Sequence, residues 1–455
     1  MGFERGASYK IIVDAEKHSF KYWRRRVIIS TMIGYSMFYF VRKNFSFAMP
    51  VLGKEYGITN TSFGVILSLV GIIYGISKFI NGFIADRTNA RWHMSMGLAV
   101  CVVVNVLFGF SDKFAAWITG GTEGGAFVAV MVNIFAVLLI VNNIFQGAGF
   151  SPCNRLMTHW VPPEELATKM SIWNTSHSIG AGLASVMCGY IISKTGDWRL
   201  CFWIPAAISF IGVIFIIVSL RDTPKSVGLP ELPNTRTSLD GKDTNKEYRK
   251  FVKEKVLKNP VVWLLAITDL FVYIVRFSVL DWGPTFLQDQ HLSPELAGWT
   301  VGIFEVSGCV GMLVAGRISD TFFKGRSQRT CAVEMILTAI CLLALWLLPD
   351  GSSPVLMLIL LSLAGFFLYG PQALLGVVAS NQVTNRAASS AVGLIGLCSY
   401  ASVIFTGAGL GWFTDKFGWG DVFLLMSIVA VIGSFFIFPL WNLSKDGYIH
   451  DNDAM

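Results

Sequence analysis

The sequence predicts an all-α membrane protein of twelve transmembrane helices, arranged as two six-helix pseudo-repeats. Of its 455 residues, 53% are hydrophobic and only 14% are charged, whereas about a quarter are charged in soluble domains. Several apolar runs reach the roughly 20 residues that a membrane-spanning helix needs. Landmark residues also recur at a fixed distance along the chain, which indicates an internal duplication.

Turn and charge clusters divide the apolar runs into twelve predicted spans. All are expected to be helices, because backbone groups in lipid must be hydrogen-bonded within their own segment. A polar stretch between spans 6 and 7 holds ten Lys or Arg against six acids. It predicts an N-terminal half at 1–220, a cytoplasmic linker at 221–258 and a C-terminal half at 259–455. The span centres lie near residues 38, 74, 103, 138, 181, 210, 272, 307, 338, 365, 400 and 431.

Lys and Arg near the span ends predict the orientation of the chain. The segment KYWRRR precedes span 1, Arg87 and Arg91 lie between spans 2 and 3, and the basic linker joins the halves. These segments fall on one side, so both termini are expected in the cytoplasm. The net charge of +7 therefore reflects topology, and no nucleic-acid partner is expected. The eight cysteines show no metal or disulfide spacing, and no metal or cofactor is predicted.

The two halves repeat six landmarks without a gap. Parallel repeats of this kind are related by an axis along the membrane normal, and substrate binds between the halves near the midplane. The pairs, each 234 residues apart, are Tyr39 and Tyr273, Arg42 and Arg276, Pro50 and Pro284, Gly64 and Gly298, Gly82 and Gly316, and Asp86 and Asp320.

Ionisable residues inside predicted spans are costly and are therefore hypotheses of function. Arg42 and Arg276 are repeat-equivalent, which places them opposite each other across a central cavity. Two arginines facing one space repel unless an anion lies between them, and guanidinium groups bind phosphate or carboxylate through paired hydrogen bonds. The alternative is a structural pair bound to helix-end carbonyls or to an acid such as Asp281.

Other charged and polar residues accompany the arginines. Tyr39 and Tyr273 precede them on the same helix faces, and a hydroxyl there would suit an oxyanion. His177 shares a face with Asn174 and is expected at the cavity, with a packing role as the alternative. The roles of Lys43, Lys78, Asp269, Asp281 and Glu305 stay open, while Arg155 and Glu334 are expected to lie at span ends and to extend towards water.

Several motifs together resemble the organophosphate:phosphate antiporters of the major facilitator superfamily. The resemblance covers nearly the whole chain and is closest to the hexose-phosphate branch, which also includes a transporter-like membrane sensor of glucose 6-phosphate. It implies a major facilitator fold and the exchange of inorganic phosphate for a phosphate ester. The motifs are GYSMFYFVRKNF, GISKFINGFIADRTNAR, FQGAGFSPCNR, WNTSHSIG, VYIVRFSVLDW and YGPQALLG.

The resemblance also implies roles for individual residues. Arg42 and Arg276 match the phosphate-binding arginines, and His177 matches the cavity histidine. Asp86, Arg87 and Asp320 resemble the superfamily's loop signature and imply gating, with plain topological charge as the alternative. The chain departs from the family pattern at Leu166–Ala167, Ser178, Val392 and Ile395, which leaves the sugar open. The complete set of implied or candidate substrate-binding residues is Arg42, Arg276, His177, Lys43, Lys78, Tyr39, Tyr273, Asn174 and Gln146.

We therefore expect a monomeric antiporter of the bacterial inner membrane that exchanges a sugar phosphate, first of all glucose 6-phosphate, for inorganic phosphate. No nucleophile–base pair or nucleotide loop indicates an enzyme. The alternatives are a receptor that signals external glucose 6-phosphate to a sensor kinase, a glycerol 3-phosphate antiporter, and a carrier of another anion such as a carboxylate.

Overall fold

A computed structural model describes residues 3–161, 163–230, 250, 252–349, 352–383 and 388–444. Within them the regular structure is helical, and all twelve predicted span centres fall inside helices. The helices are α1 Phe3–Phe40, α2 Phe45–Tyr56, α3 Asn60–Arg87, α4 Ala90–Phe108, α5 Ser111–Thr119, α6 Gly125–Trp160, α7 Pro163–Thr195, α8 Leu200–Ser219, α9 Pro260–Asp289, α10 Pro294–Thr321, α11 Ser327–Trp346, α12 Pro354–Asn381, α13 Ala388–Ile404, α14 Leu410–Phe417 and α15 Val422–Ile437.

The described part of the chain contains ten helical segments that are long and apolar enough to cross a membrane. The other two predicted spans correspond to α1 with α2 and to α7, both of which contain polar residues within the span. Residues 231–249 and 251, which belong to the predicted linker, lie outside the described residues. The boundaries of the two halves therefore stay a prediction.

The first predicted span is interrupted between α1 and α2, and Arg42 and Lys43 lie in the interruption. Such a break is tolerated only where protein groups satisfy the freed backbone. Three buried amides do so here, since they donate to the Val41 carbonyl from Asn105 at 3.2 Å, Asn142 at 2.9 Å and Gln146 at 3.5 Å.

Glycines set the contact between the two halves. α7 packs on α10, and α3 packs on a π-helical segment at 405–409 and on α14. A Cβ on Gly298 would lie 2.6 Å from the Ser185 carbonyl oxygen, and one on Gly64 would collide with the Gly407 carbonyl. Small residues at these positions allow the helix backbones to touch, as is common between membrane helices.

Candidate functional site

A cavity of about 1260 Å³ lies between the two halves. It is lined at one end by Arg317, Asp320 and Thr321, which form the C-terminal turn of α10. At the other end, where α3 and α10 begin, the halves are in contact through the glycine positions described above. The cavity is therefore open at one end of the bundle and closed at the other.

An acidic residue reinforces the closed end. Asp415 on α14 accepts hydrogen bonds from the backbone N–H groups of Asn60 at 3.1 Å and Thr61 at 2.6 Å, at the N-terminus of α3. A carboxylate is favourable there because the unpaired N–H groups and the helix dipole attract negative charge. The contact joins the two halves, so it exists only while this end is closed.

Arg42 enters the cavity from the break between α1 and α2. Its guanidinium lies 3.8 Å from the ring centroid of Tyr74 and 5.6 Å from that of Tyr39. Among the described residues it has no ion-pair partner. The aromatic faces hold the cation in place and leave its hydrogen-bond donors available for an anion.

Arg276 enters from α9 on the opposite side and is only 7% exposed. Its guanidinium lies 4.9 Å from the ring centroid of Tyr369 and 5.8 Å from that of Tyr273. One nitrogen lies 3.6 Å from a carboxyl oxygen of the fully buried Glu305, and Nε has no hydrogen-bond partner. This incomplete pairing leaves donor capacity in a site shielded from water.

The two lysines differ in their partners. Lys43 forms an ion pair with Asp281, which joins the α1–α2 break of one half to α9 of the other. Lys78 lies 3.9 Å from the ring centroid of Phe150 and 5.6 Å from that of Tyr400. It has no acidic partner among the described residues, so its positive charge also faces the cavity uncompensated.

His177 lines the same cavity with Asn174, both on α7. Its ring lies 5.9 Å from that of Tyr39. Nδ1 lies 2.8 Å from the Ser178 hydroxyl oxygen, which leaves Nε2 as the nitrogen that can face a ligand. His177 and Asn174 therefore form part of one wall of the cavity, and their role in substrate binding stays a prediction.

Most of the predicted site residues come together. Gln146 is an exception: it is not among the lining residues and supports the break instead, because it donates to the Phe38 carbonyl at 3.0 Å. The side chains of Asp86 and Arg87 lie outside the described residues, so their gating roles stay predictions. The predicted residues that line the cavity are Tyr39, Arg42, Lys43, Lys78, Asn174, His177, Tyr273, Arg276 and Asp320.

One expectation about buried charge was wrong. Glu334 does not lie at a span end but within α11, 4% exposed, with its carboxyl group against Gly370 of α12. Arg155 does lie at a helix end, where it donates to the Ala85 carbonyl at 2.5 Å and pairs with Asp222 at 3.2 Å. In the sequence both residues flank an apolar run, so the sequence alone could not distinguish a buried carboxyl group from a charged group at a span end.

Sequence reasoning missed the aromatic support of the arginines. Tyr74 on α3 and Tyr369 on α12 lie closest to the two guanidinium groups, and Tyr400 on α13 lines the cavity beside Lys78. None of them shares a helix with Arg42 or Arg276. Their only signal in the sequence is a tyrosine within an apolar span.

The helical bundle, the central cavity and the facing arginines agree with the comparison to known families. Residues 31–407 match the Major Facilitator Superfamily. The chain belongs to that superfamily. Its relatives place it in the organophosphate:phosphate antiporter branch.

Three curated relatives illustrate this branch. The chain is 36% identical to the glycerol-3-phosphate transporter of Bacillus subtilis, with 94% of each chain covered. It is 35% identical to a probable hexose phosphate transport protein of Chlamydia trachomatis, with 97% of each covered. It is 32% identical to the membrane sensor protein UhpC of Escherichia coli, with 95% of each covered.

The fold also matches a solved structure. A bacterial homologue of the human lysosomal transporter Spinster, in an inward-facing and unoccupied conformation, superposes with a TM-score of 0.69 at 15% identity. The match covers 94% of this chain and 98% of the other. At this level of identity the likeness concerns the fold alone.

Proposed function

We propose that this superfamily member is an antiporter that exchanges a sugar phosphate, first of all glucose 6-phosphate, for inorganic phosphate by alternating access. The observation that carries the proposal is the cavity between the halves with Arg42 and Arg276 on its two sides. Each guanidinium has free donors and an aromatic support, and Lys78 adds a further positive charge. A phosphoryl group, with several acceptor oxygens and negative charge, matches these donors.

The arginines come from different halves, so a bound phosphoryl group links them. The favourable interaction is complete only when both arginines engage the same anion. Ligand binding therefore favours conformations in which the halves are drawn together, which is the differential affinity that a conformational change requires. The Lys43–Asp281 pair also joins the halves, and we propose that it separates when they rock apart. Closure of the open end and opening of the Asp415 end would complete one transport step.

The same reasoning assigns secondary roles. We propose that His177, Asn174, Tyr39 and Tyr273 contact the phosphate ester. We also propose that Gln146 supports the chain next to Arg42. Asp320 stands at the open mouth of the cavity, where we propose a gating role. We propose that both termini face the cytoplasm and that the protein lies in the bacterial inner membrane, since loops rich in Lys and Arg are generally retained on the cytoplasmic side.

Exchange in proteoliposomes tests the proposal. Purified protein is reconstituted into vesicles loaded with phosphate, and uptake of labelled phosphate is measured with and without external glucose 6-phosphate. Replacing Arg42 or Arg276 by Lys keeps the charge but removes the paired geometry. Because a hydrogen bond to a charged group contributes about 1.5–3 kcal/mol, each variant should lose about 10- to 100-fold in affinity.

A third arginine supplies the control. Arg317 also lines the cavity but is exposed at its mouth, so Arg317→Lys should keep exchange near the level of the unaltered protein. If Arg42→Lys and Arg276→Lys exchange at full rate, the two-arginine clamp is wrong.

The relatives favour two other candidates. The similarity to a glycerol-3-phosphate transporter favours that ester, which competition with glycerol 3-phosphate would reveal. The similarity to UhpC favours a receptor that binds glucose 6-phosphate and signals to a sensor kinase. Binding of the sugar phosphate without any exchange would support the receptor. Preference for a carboxylate would contradict the sugar-phosphate antiporter, the glycerol 3-phosphate antiporter and the receptor alike.

A further inference from the structure

Asp269 is a buried carboxyl group directly behind the cavity wall. It lies on α9, four residues before Tyr273 and seven before Arg276, so the three side chains share one face of the helix. Tyr273 and Arg276 line the cavity, whereas Asp269 is only 4% exposed and is not a lining residue. Its counterpart 234 residues earlier is Tyr35, which lines the cavity from the other half. Only the C-terminal half therefore carries a carboxyl group at this position.

The contacts of Asp269 supply too few hydrogens for an ionised carboxylate. The Ser399 hydroxyl oxygen is within hydrogen-bonding distance of one carboxyl oxygen of Asp269. It also lies 2.7 Å from the carbonyl oxygen of Ile395. A serine hydroxyl carries a single hydrogen, which cannot serve both acceptors fully. The other carboxyl oxygen of Asp269 has no partner.

A proton on Asp269 resolves this shortage. Ser399 then donates to the Ile395 carbonyl, and the Asp269 O–H donates to the Ser399 oxygen. An ionised Asp269 would instead be a buried charge with at most one donor, and unpaired buried charge is strongly unfavourable. Arg276, the cation on the same helix face, forms an ion pair with Glu305 at 3.6 Å and none with Asp269 among the described residues.

Few titratable groups lie near Asp269, so its electrostatic link to the cavity depends on a small number of side chains. Among the described residues, the titratable groups that face it are Tyr273 and Arg276 on α9, Cys331 on α11 and Cys398 on α13. Arg276 is the one fixed charge of this set. An anion that binds Arg276 therefore changes the electrostatic field at Asp269 directly.

We propose that Asp269 is a proton-binding site linked to anion binding in the cavity. The proposal deepens the proposed function and rests on it where it takes phosphate as the anion. A bound anion at Arg276, about 10 Å along the helix from Asp269, disfavours a second negative charge and therefore favours the protonated form. By reciprocity, protonation of Asp269 strengthens anion binding. Two unit charges at this distance in an effective dielectric constant of about 20 give a coupling of about tenfold in affinity.

The sign of the linkage fixes the pH dependence. Anion binding is strongest at a pH low enough to keep Asp269 protonated and weakens as the pH rises through its titration. Asp269→Asn reproduces the hydrogen bonding of the protonated acid, since its N–H₂ can donate to Ser399 while its carbonyl oxygen remains. This variant should bind phosphate like the protonated protein at every pH.

Calorimetric titration of inorganic phosphate into the purified full-length protein measures this linkage. The titration of phosphate itself is common to both proteins and cancels in the comparison. With rising pH, the affinity of the unaltered protein should fall about tenfold more than that of Asp269→Asn. Parallel pH profiles of the two proteins would overturn the linkage.

Infrared spectroscopy tests the proton without relying on transport. The difference spectrum between the unaltered protein and Asp269→Asn at neutral pH should contain the C=O stretching band of a protonated carboxyl group. Asp320→Asn, at an exposed carboxyl group of the cavity mouth, should leave that band in place. Absence of the band would overturn the proton site even if exchange is normal. A band in a protein that binds no phosphate would refute the proposed function and leave the proton site standing.

Discussion

The hydrogen bonds from α3 to Asp415 should bias the protein towards closure at that end. Asp415 accepts two backbone N–H bonds across the halves, whereas Thr59 caps the same helix from its own chain segment by accepting from Ser62 N–H at 3.2 Å. Loss of a helix cap costs about 1 kcal/mol, and a charge at a helix N-terminus adds about 0.3–1 kcal/mol. Asp415→Ala should therefore shift the closed-to-open ratio by about tenfold, since 1.4 kcal/mol corresponds to a factor of ten.

Thr59→Ala provides the matched control. It removes a cap of similar strength that is present in both conformations, so it should lower stability without shifting the ratio. Spin labels at the exposed positions Glu55 and Asp289, one from each half near this end, report the two conformations by electron–electron distance measurements. Equal distance distributions for Asp415→Ala and the unaltered protein would refute the reasoning, and so would equal shifts for Asp415→Ala and Thr59→Ala.

Two further predictions concern the contact between the halves. Asp281→Asn removes the ion-pair partner of Lys43, and the two side chains are 12% and 17% exposed. Breaking a fully buried pair costs about 3–5 kcal/mol, so this part-buried pair should lose less than that. A lower thermal unfolding temperature in detergent measures the loss, and partial recovery in the double variant with Lys43→Met distinguishes a lost pair from lost packing. Gly298→Ala places a Cβ 2.6 Å from the Ser185 carbonyl oxygen and should reduce exchange at least tenfold. Gly396→Ala, where a Cβ meets no atom within 4 Å, should leave exchange intact, and an equal loss in both variants would contradict the steric explanation.

The class of fold and the pairing of Arg42 with Arg276 could be predicted from the order of residues along the chain. Apolar runs of membrane length require helices, because lipid offers no hydrogen bonds to the backbone. The 234-residue repeat predicts that Arg42 lies opposite Arg276, since two equivalent positions of a repeat are related by the axis between the halves. The helix faces of Tyr39 and His177 followed from the 3.6-residue period.

The residues that contact these side chains from other helices could not be predicted from the sequence and are evident in the folded bundle. Tyr74 and Tyr369 support the arginines from separate helices, and the Lys43–Asp281 pair joins residues 238 positions apart. Helix period fixes which side of a helix a residue occupies, but not the rotation and depth of its neighbours. Those follow from packing across the bundle, where contacts such as that of Gly298 with Ser185 set how closely two backbones approach. The same packing buries Asp269 against Ser399 and turns a carboxyl group in the sequence into the proposed proton site.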